Sequence, residues 1–229
     1  MDNKEKKDKK YKILRKQANW QNLWFYRKAE TLFQLTMVFT QRFLPAYGDR
    51  TVDQMVQAAR SGKQNIVEGS ADGVTSSEME IKLLNVARAS IQELQGDYAD
   101  YLSSRHLQQW DSSHDRYKGM IDFCKSHNDI EEYEPFFNIW NNEEMANVAY
   151  TLCRMTDKMM TTYINNLETL FVTEGGIKER MTAARLGYRT DKQQELNSAN
   201  QEIATLKAEI ARLNETITQL KEENSRLSR

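Results

Sequence analysis

The sequence predicts an all-α fold: an up-and-down four-helix bundle with an insertion and a C-terminal coiled-coil helix. Three observations lead to this class. Only 2 Pro and 9 Gly occur in 229 residues, so helix-breaking positions are scarce. Four long segments repeat apolar side chains at intervals of three and four residues, which is the period of a helix and not of a strand. Beyond these four segments, residues 191–229 repeat apolar residues in the seven-residue pattern of a coiled coil.

The first segment, residues 1–16, is a basic tail. It contains eight Lys or Arg against three Asp or Glu, although the whole chain has a net charge of -1. A tail of this kind can neutralise phosphates, and Lys9 and Lys10 are its candidate nucleic-acid contacts. The alternative is that the tail is only a solvated chain end.

Apolar residues at helical spacing predict the first two bundle helices, over residues 11–43 and 51–68. The first should end at Pro45, because proline disfavours helical geometry in the residue before it. The second should end at Gly69, because glycine adopts the left-handed conformation that terminates many helices.

The third bundle helix is expected to begin after a polar loop at residues 70–77 and to end near Ser103. Thr75 and Glu78 form a capping-box pattern, in which each side chain accepts a hydrogen bond from a backbone amide that the helix leaves unpaired. Together the first three helices make one segment, residues 17–103.

Residues 104–190 combine an insertion with the fourth long helix. The insertion is predicted to be packed on the bundle, with a short helix around residues 116–125. The fourth helix should begin near Asn142 and end at Gly175. Its methionines are interpreted as core filling at helical spacing: Met145, Met155, Met159 and Met160.

The sequence contains none of the strong fingerprints of catalysis or cofactor binding: no P-loop, no GxGxxG after a strand, no HExxH and no CxxC pair. His106, His114 and His127, with Cys124, match no compact metal-ligand spacing and are interpreted as surface or packing residues. We therefore expect a non-enzymatic protein without a cofactor.

The composition also gives an expectation about the cellular compartment of the protein. Cys124 and Cys153 cannot form a disulfide framework, and no secretion-signal pattern opens the sequence, so a cytoplasmic protein is expected. The longest charge-free run, residues 31–41, is too short to span a membrane, and no membrane partner is expected. Because the net charge is close to zero, nucleic-acid binding would have to come from local patches.

Residues 191–229 carry the heptad repeat of a coiled coil. Its a and d positions alternate at spacings of three and four: Leu196, Ala199, Ile203, Leu206, Ile210, Leu213, Ile217, Leu220, Asn224 and Leu227. Ile at a with Leu at d favours two parallel strands, and a single Asn at a fixes register and strand number. Glu202 and Lys207 would attract each other across such a pair. A homodimer is predicted, the alternative being a helix that folds back on its own bundle.

A leucine-zipper reader of DNA is a further alternative. Basic residues precede the heptads: Lys178, Arg180, Arg185, Arg189 and Lys192. A helix that enters the major groove usually carries a denser basic run, and Gly187 weakens the helix just before the zipper. The pattern therefore argues against this alternative.

Four cations on helices two and three are candidate phosphate contacts: Arg60, Lys63, Lys82 and Arg88. Arg60 and Lys63 lie three residues apart and share a helix face, whereas the two cations of helix three are six apart and less well aligned. The alternative is that Arg88 pairs with Glu68 or Glu93 to fix the helix packing, and the sequence alone favours this structural role.

Residues 53–102 contain two motifs, one on helix two and one on helix three, with a characteristic spacing between them. Their positions are Arg60, Ser61, Asn65, Ile66, Glu68 and Gly69, followed by Ala87, Arg88, Ser90, Glu93 and Leu94. The pair resembles the central signature of the four helix bundle proteins related to the 23S rRNA intervening-sequence proteins. Residues 145–189 resemble the "suffix" domain that a longer branch of this family carries.

The resemblance implies a cytoplasmic bacterial bundle without catalytic activity that often assembles as a ring, commonly a pentamer. Some relatives are accessory proteins of diversity-generating retroelements that bind RNA and a reverse transcriptase through basic surfaces. The resemblance thus suggests a pentamer where the heptads suggest a dimer, and both states stay open at this point.

The first functional hypothesis is a non-enzymatic, self-associating bundle that acts as an RNA-associated or ribonucleoprotein adaptor through the tail and the four cations. The second is a protein-interaction scaffold in which the coiled coil organises the assembly and nucleic acid plays no part.

Overall fold

The structure, a computed structural model, describes residues 13–14, 19–45 and 50–227. Across these ranges it contains helices and no strands, which confirms the predicted all-α class. The chain forms two compact units, one at Leu14–Ile177 and one that contains Lys178–Arg229. Lys9 and Lys10, and nearly all of the predicted basic tail, lie outside the described residues.

The described ranges contain six α-helices: α1 (Trp24–Phe43), α2 (Arg50–Asp72), α3 (Ser77–Ser104), α4 (Tyr117–Ser126), α5 (Asn142–Glu174) and α6 (Ile177–Leu227). Three short 3-10 turns accompany them: Trp20–Asn22, Ile130–Glu132 and Glu134–Phe136. No helix within these ranges is long and apolar enough to cross a membrane.

Helices α1, α2, α3 and α5 form an up-and-down bundle in which each packs mainly on its two neighbours around a square. The core has two parts. The larger is built around Phe39, Tyr98 and Leu152, and the smaller, at the other end, around Phe25 and Ile164. Burial of these apolar faces is the main force that holds the four helices together.

The first helix is shorter than the periodicity predicts. A separate 3-10 turn at Trp20–Asn22 and an extended Leu23 precede α1. Trp20 packs edge-to-face on Tyr26, with ring centroids 4.6 Å apart, so its apolar side chain serves a local contact and not a longer helix. At the other end Leu44 is extended before Pro45, as predicted.

Gly69 does not end α2, which continues to Asp72. A Cβ at Gly69 would lie 3.3 Å from the Cβ of Leu83, so the glycine serves the close approach of α3. The capping box predicted at Thr75 and Glu78 is wrong: the N-cap of α3 is Ser76, whose hydroxyl accepts a hydrogen bond from the Met79 amide at 3.1 Å, and Met79 has no carboxylate to complete a box.

The insertion, which includes α4, is fastened to α1 and α5 by buried polar side chains. The Lys28 ammonium donates to the carbonyls of Cys124 and His127. From α5, Asn147 accepts from the Trp110 amide at 2.7 Å and donates to the Gln108 carbonyl at 2.9 Å. Lys28 and Asn147 together therefore satisfy four backbone groups of the insertion.

Helix α5 begins and ends where the sequence predicts. Asn141 and Glu144 form a capping box at its start, and Gly175, with φ 73°, ends it. Helix α6 then runs for 51 residues and continues through Gly187.

Candidate interaction surfaces

Two of the four candidate phosphate contacts are occupied in ion pairs that join bundle helices. Lys63 lies 3.1 Å from Glu30 of α1, with its ammonium 4.4 Å from the ring centroid of Phe33. Arg88 lies 3.0 Å from Asp157 of α5, not beside Glu68 or Glu93. The partners predicted for Arg88 are therefore wrong, and its ion pair joins α3 to α5 instead.

The other two, Arg60 on α2 and Lys82 on α3, are exposed and have no ion pair with any carboxylate among the described residues. The Ser61 and Ser90 hydroxyls are 2.9 Å apart across the antiparallel contact of α2 and α3. Arg60, next to Ser61, therefore lies beside the part of α3 near Ser90. Since each helical residue rises about 1.5 Å, Lys82 is about 14 Å away from Arg60 along the bundle axis. The structure does not bring the four cations into one patch.

The signature positions on these helices serve packing and a small polar cavity. Ser61, Ser90 and Glu93 line a shallow cavity of about 650 Å³ together with Asp53 and Asp97. Burial, with the nearby carboxylates Asp100 and Glu93, raises the pKa of Asp97. Its lining has three carboxylates against one cation, Arg50, and so repels a phosphate; this cavity does not extend the predicted basic surface.

The histidines are placed in packing and surface positions. His114 stacks on Trp110 with ring centroids 4.3 Å apart, and His127 stacks on Phe123 at 4.2 Å. His106 is exposed at a turn with φ 55°. In the part of the chain that the structure describes, no three His, Cys, Asp or Glu side chains cluster as a metal site would require.

Cys124 and Cys153 are free thiols inside the core. Burial raises the pKa of the Cys124 thiol to about 12, although the neighbouring Lys28 ammonium acts in the opposite direction. Burial also raises the pKa of Cys153. Because only the thiolate is a strong nucleophile, both cysteines are chemically quiet in the folded protein.

A row of exposed apolar side chains runs along α6, and we call it the α6 seam. It consists of the heptad positions predicted for oligomerisation: Ile203, Leu206, Ile210, Leu213, Ile217, Leu220, Asn224 and Leu227. From Ile203 to Leu220 these side chains are 47% to 58% exposed. A regular apolar stripe of this length on one helix is the hallmark of a coiled-coil interface.

A second surface, which sequence reasoning missed, is a groove of about 840 Å³ beside α1, α4 and α5. We call it the α5 groove. Three exposed cations line it: Lys125 from α4 and Arg154 and Lys158 from α5. Its remaining lining side chains are apolar, aromatic or neutral polar: Asn22, Leu23, Trp24, Phe25, Tyr117, Ile121, Thr151, Met155, Met159, Thr162, Tyr163 and Asn166.

The sequence contains a pattern that could have indicated the α5 side of this groove. Met155 and Met159 alternate with Arg154 and Lys158, so methionines and cations occupy adjoining strips of α5. The structure buries Met145 and Met160 fully, as core filling predicts, but leaves Met155 and Met159 only partly covered at the groove. The sequence alone does not show that α4 and the start of α1 complete this surface.

The chain matches no protein-family model, and comparisons with curated proteins and with solved structures find no match either.

Proposed function

We propose that this chain is a non-enzymatic, self-associating helical adaptor whose α6 pairs with the α6 of a second copy as a parallel coiled coil. The observation that carries the proposal is the exposure of the α6 seam. A helix that leaves such a stripe in water gains roughly 25 cal/mol for each Å² of apolar surface that pairing removes from water.

The residue choices along the α6 seam support two strands. Ile203, Ile210 and Ile217 stand at a, and Leu fills the intervening d positions. This arrangement packs best in a parallel dimer, and Asn224 at a penalises other registers. Glu202 at g lies opposite Lys207 at e of the partner helix in that register.

The test is the mass of the full chain in solution, measured by light scattering across a concentration series. Ile210→Lys with Ile217→Lys should reduce a dimer to a monomer, since a buried seam does not tolerate unpaired ammonium groups. The matched control is Ala211→Lys with Thr218→Lys, which places the same charges at b positions outside the seam and should leave the dimer intact.

Unaltered mass in the seam variant would reject the proposal. A wild-type mass of five chains would instead favour the pentamer that the family resemblance suggests.

Strand direction has its own test. Leu213→Cys places a thiol at a d position, where identical residues face each other only in a parallel, in-register pair. Mild oxidation should then give a covalent dimer, while Ala211→Cys should not. The native cysteines are buried and do not interfere. Failure of Leu213→Cys to cross-link in a confirmed dimer would point to antiparallel strands.

A second proposal is association with RNA or a ribonucleoprotein, including a reverse transcriptase complex. It is supported by the resemblance to the four helix bundle proteins and by the exposed, unpaired state of Arg60 and Lys82 among the described residues. Lys63 and Arg88 are weaker candidates because binding phosphate would cost their ion pairs.

The RNA proposal is tested by the affinity of a labelled single-stranded RNA over a salt series. Arg60→Gln with Lys82→Gln should weaken binding and lower the salt slope by about 0.7 for each phosphate that the variant no longer neutralises. Lys9→Gln with Lys10→Gln tests the tail in the same way. The exposed control pair Lys118→Gln and Lys221→Gln should have no effect. Equal slopes in all variants would remove these residues as RNA contacts.

A further inference from the structure

We infer that the α5 groove docks an acidic, amphipathic helix of a partner protein. This goes beyond self-association through α6, because every described residue that lines the groove belongs to the bundle unit, Leu14–Ile177. The inference rests on the charge, the apolar lining and the length of the groove.

The charge of the groove is one-sided. Lys125, Arg154 and Lys158 are exposed, and none of them forms an ion pair with a carboxylate among the described residues. No Asp or Glu of the described ranges lines the groove. Arg154 and Lys158 are one helical turn apart, so they place two positive charges along the same edge. An occupant that matches this edge brings carboxylates at the same spacing.

The apolar lining calls for an apolar stripe on the same occupant. Leu23, Ile121, Met155 and Met159 lie beside the cations. Partly covered methionines adapt to the shape of an incoming side chain, as in other surfaces that bind amphipathic helices. Along α5 the groove follows residues 151–166, about 22 Å, which is the length of a helix of about 15 residues.

The aromatic residues favour a protein occupant over single-stranded nucleic acid. Bases stack on open aromatic faces. Here the Arg27 guanidinium lies over Trp24 at 4.7 Å from the ring centroid, and Phe25 packs on Tyr163 with centroids 5.1 Å apart. Trp24 is 56% exposed, yet one of its faces is already taken. Nucleic-acid interfaces are also more polar and more densely positive than this groove.

The test uses the full chain and three labelled synthetic peptides of about 16 residues, with binding followed by fluorescence anisotropy. The first peptide carries Leu at i, i+3, i+4 and i+7 flanked by Glu. The second keeps the Leu stripe but replaces Glu by Lys. The third has the composition of the first with the Leu residues dispersed. Only the first should bind wild-type protein well, because only it matches both the charge and the apolar lining.

Charge reversal at the groove supplies the decisive comparison. Arg154→Glu with Lys158→Glu should weaken the Glu peptide by about tenfold or more and should strengthen the Lys peptide. Gain of the Lys peptide also shows that the variant is folded. The matched control, Arg60→Glu with Lys82→Glu, reverses two exposed charges outside the groove and should change neither affinity. The seam variant, Ile210→Lys with Ile217→Lys, should bind the Glu peptide as tightly as wild type does, whether the variant is a monomer or a dimer.

Four results would overturn the inference. One is equal binding of all three peptides, and another is a Glu-peptide affinity that the groove reversal leaves unchanged. The third is that a single-stranded uridine oligonucleotide binds the wild-type protein, that Arg154→Glu with Lys158→Glu weakens this binding, and that the Glu peptide does not bind. This result would assign the groove to nucleic acid. A fall in mass on groove reversal would likewise overturn it by naming a second copy as the occupant.

Discussion

Single residues hold the insertion on the bundle, and Lys28 is the clearest case. Its side chain is 0% exposed, and its ammonium donates to two carbonyls at the end of α4, where a helix leaves carbonyl groups without intrahelical partners. Burial lowers the pKa of Lys28. The negative end of the α4 dipole compensates in part for the lost hydration of the ammonium.

Lys28→Met should lower the free energy of unfolding by about 2 kcal/mol, because the buried Cys124 carbonyl loses its side-chain donor and the His127 carbonyl keeps only the Tyr133 hydroxyl. Tryptophan fluorescence during guanidinium unfolding is the measurement, since Trp20, Trp24 and the other two tryptophans all belong to the bundle unit. Lys118→Met, on the exposed side of α4, should change stability little. Equal losses in the two variants would show that the buried hydrogen bonds contribute nothing specific.

The buried thiol of Cys124 makes stability depend on alkaline pH. Its pKa is raised from an ordinary value of 9.0 to about 12 by burial. Below pH 9 the thiol is protonated in both the folded and the unfolded chain, and its contribution to stability is fully present. Between pH 9 and 12 the unfolded chain loses this proton first, so the free energy of unfolding falls by up to about 1.4 kcal/mol per pH unit.

Cys124→Ala should therefore flatten the loss of stability between pH 9 and 11, even though the smaller side chain costs stability at neutral pH. Guanidinium unfolding of the two proteins at a series of pH values measures this slope. Parallel curves for wild type and variant would mean that other groups account for the alkaline loss.

At the scale of elements, glycines decide how closely α2 and α3 approach. A Cβ at Gly62 would lie 2.7 Å from Cδ1 of the fully buried Ile91, whereas a Cβ at Gly96 would meet nothing within 4 Å. Both residues are in helix interiors, where glycine costs roughly 1 kcal/mol relative to alanine. The two glycines therefore differ in packing and not in helix propensity: a side chain fits at Gly96 but not at Gly62.

Gly96→Ala should stabilise the bundle by about 0.5 to 1 kcal/mol, and Gly62→Val should destabilise it by about 2 kcal/mol through overpacking. Chemical unfolding measures both. Combining Gly62→Val with Ile91→Ala should cost less than the sum of the single changes, because the smaller neighbour makes room for the new side chain. Additive losses would show that Gly62 and Ile91 are not in contact.

At the scale of the whole molecule, the two units have different sources of stability. The bundle buries its apolar side chains within one chain, whereas α6 exposes its seam and gains stability from a partner helix in the proposed dimer. A dimeric element becomes more stable as the protein concentration rises, and a monomeric one does not.

Thermal melting should therefore show two kinds of transition. Tryptophan fluorescence should report a bundle transition whose midpoint is independent of protein concentration. Far-ultraviolet circular dichroism should report an additional transition, from α6, whose midpoint rises with concentration and which Ile210→Lys with Ile217→Lys removes. A single transition by both probes at every concentration would contradict separate stabilisation of the two units.

By itself the sequence determines the helices and the heptads of this protein. Periodicity and helix-ending residues are local signals, so the all-α class, the end of α1 before Pro45, the two ends of α5 and the heptad positions of α6 are all predictable from neighbouring residues. The predicted end of α2 at Gly69 was wrong because the sequence does not show that α3 packs closely against this glycine, which lies inside the helix.

Only the tertiary structure decides which distant side chains meet. The partner of Arg88 is Asp157, 69 residues away, and the partners of Lys28 are carbonyls on α4. The predicted patch of four cations is divided by such pairs, and the unpredicted α5 groove is assembled from three helices. The physical reason is that charge and burial depend on the neighbours that folding supplies, whereas helical periodicity depends only on the chain itself.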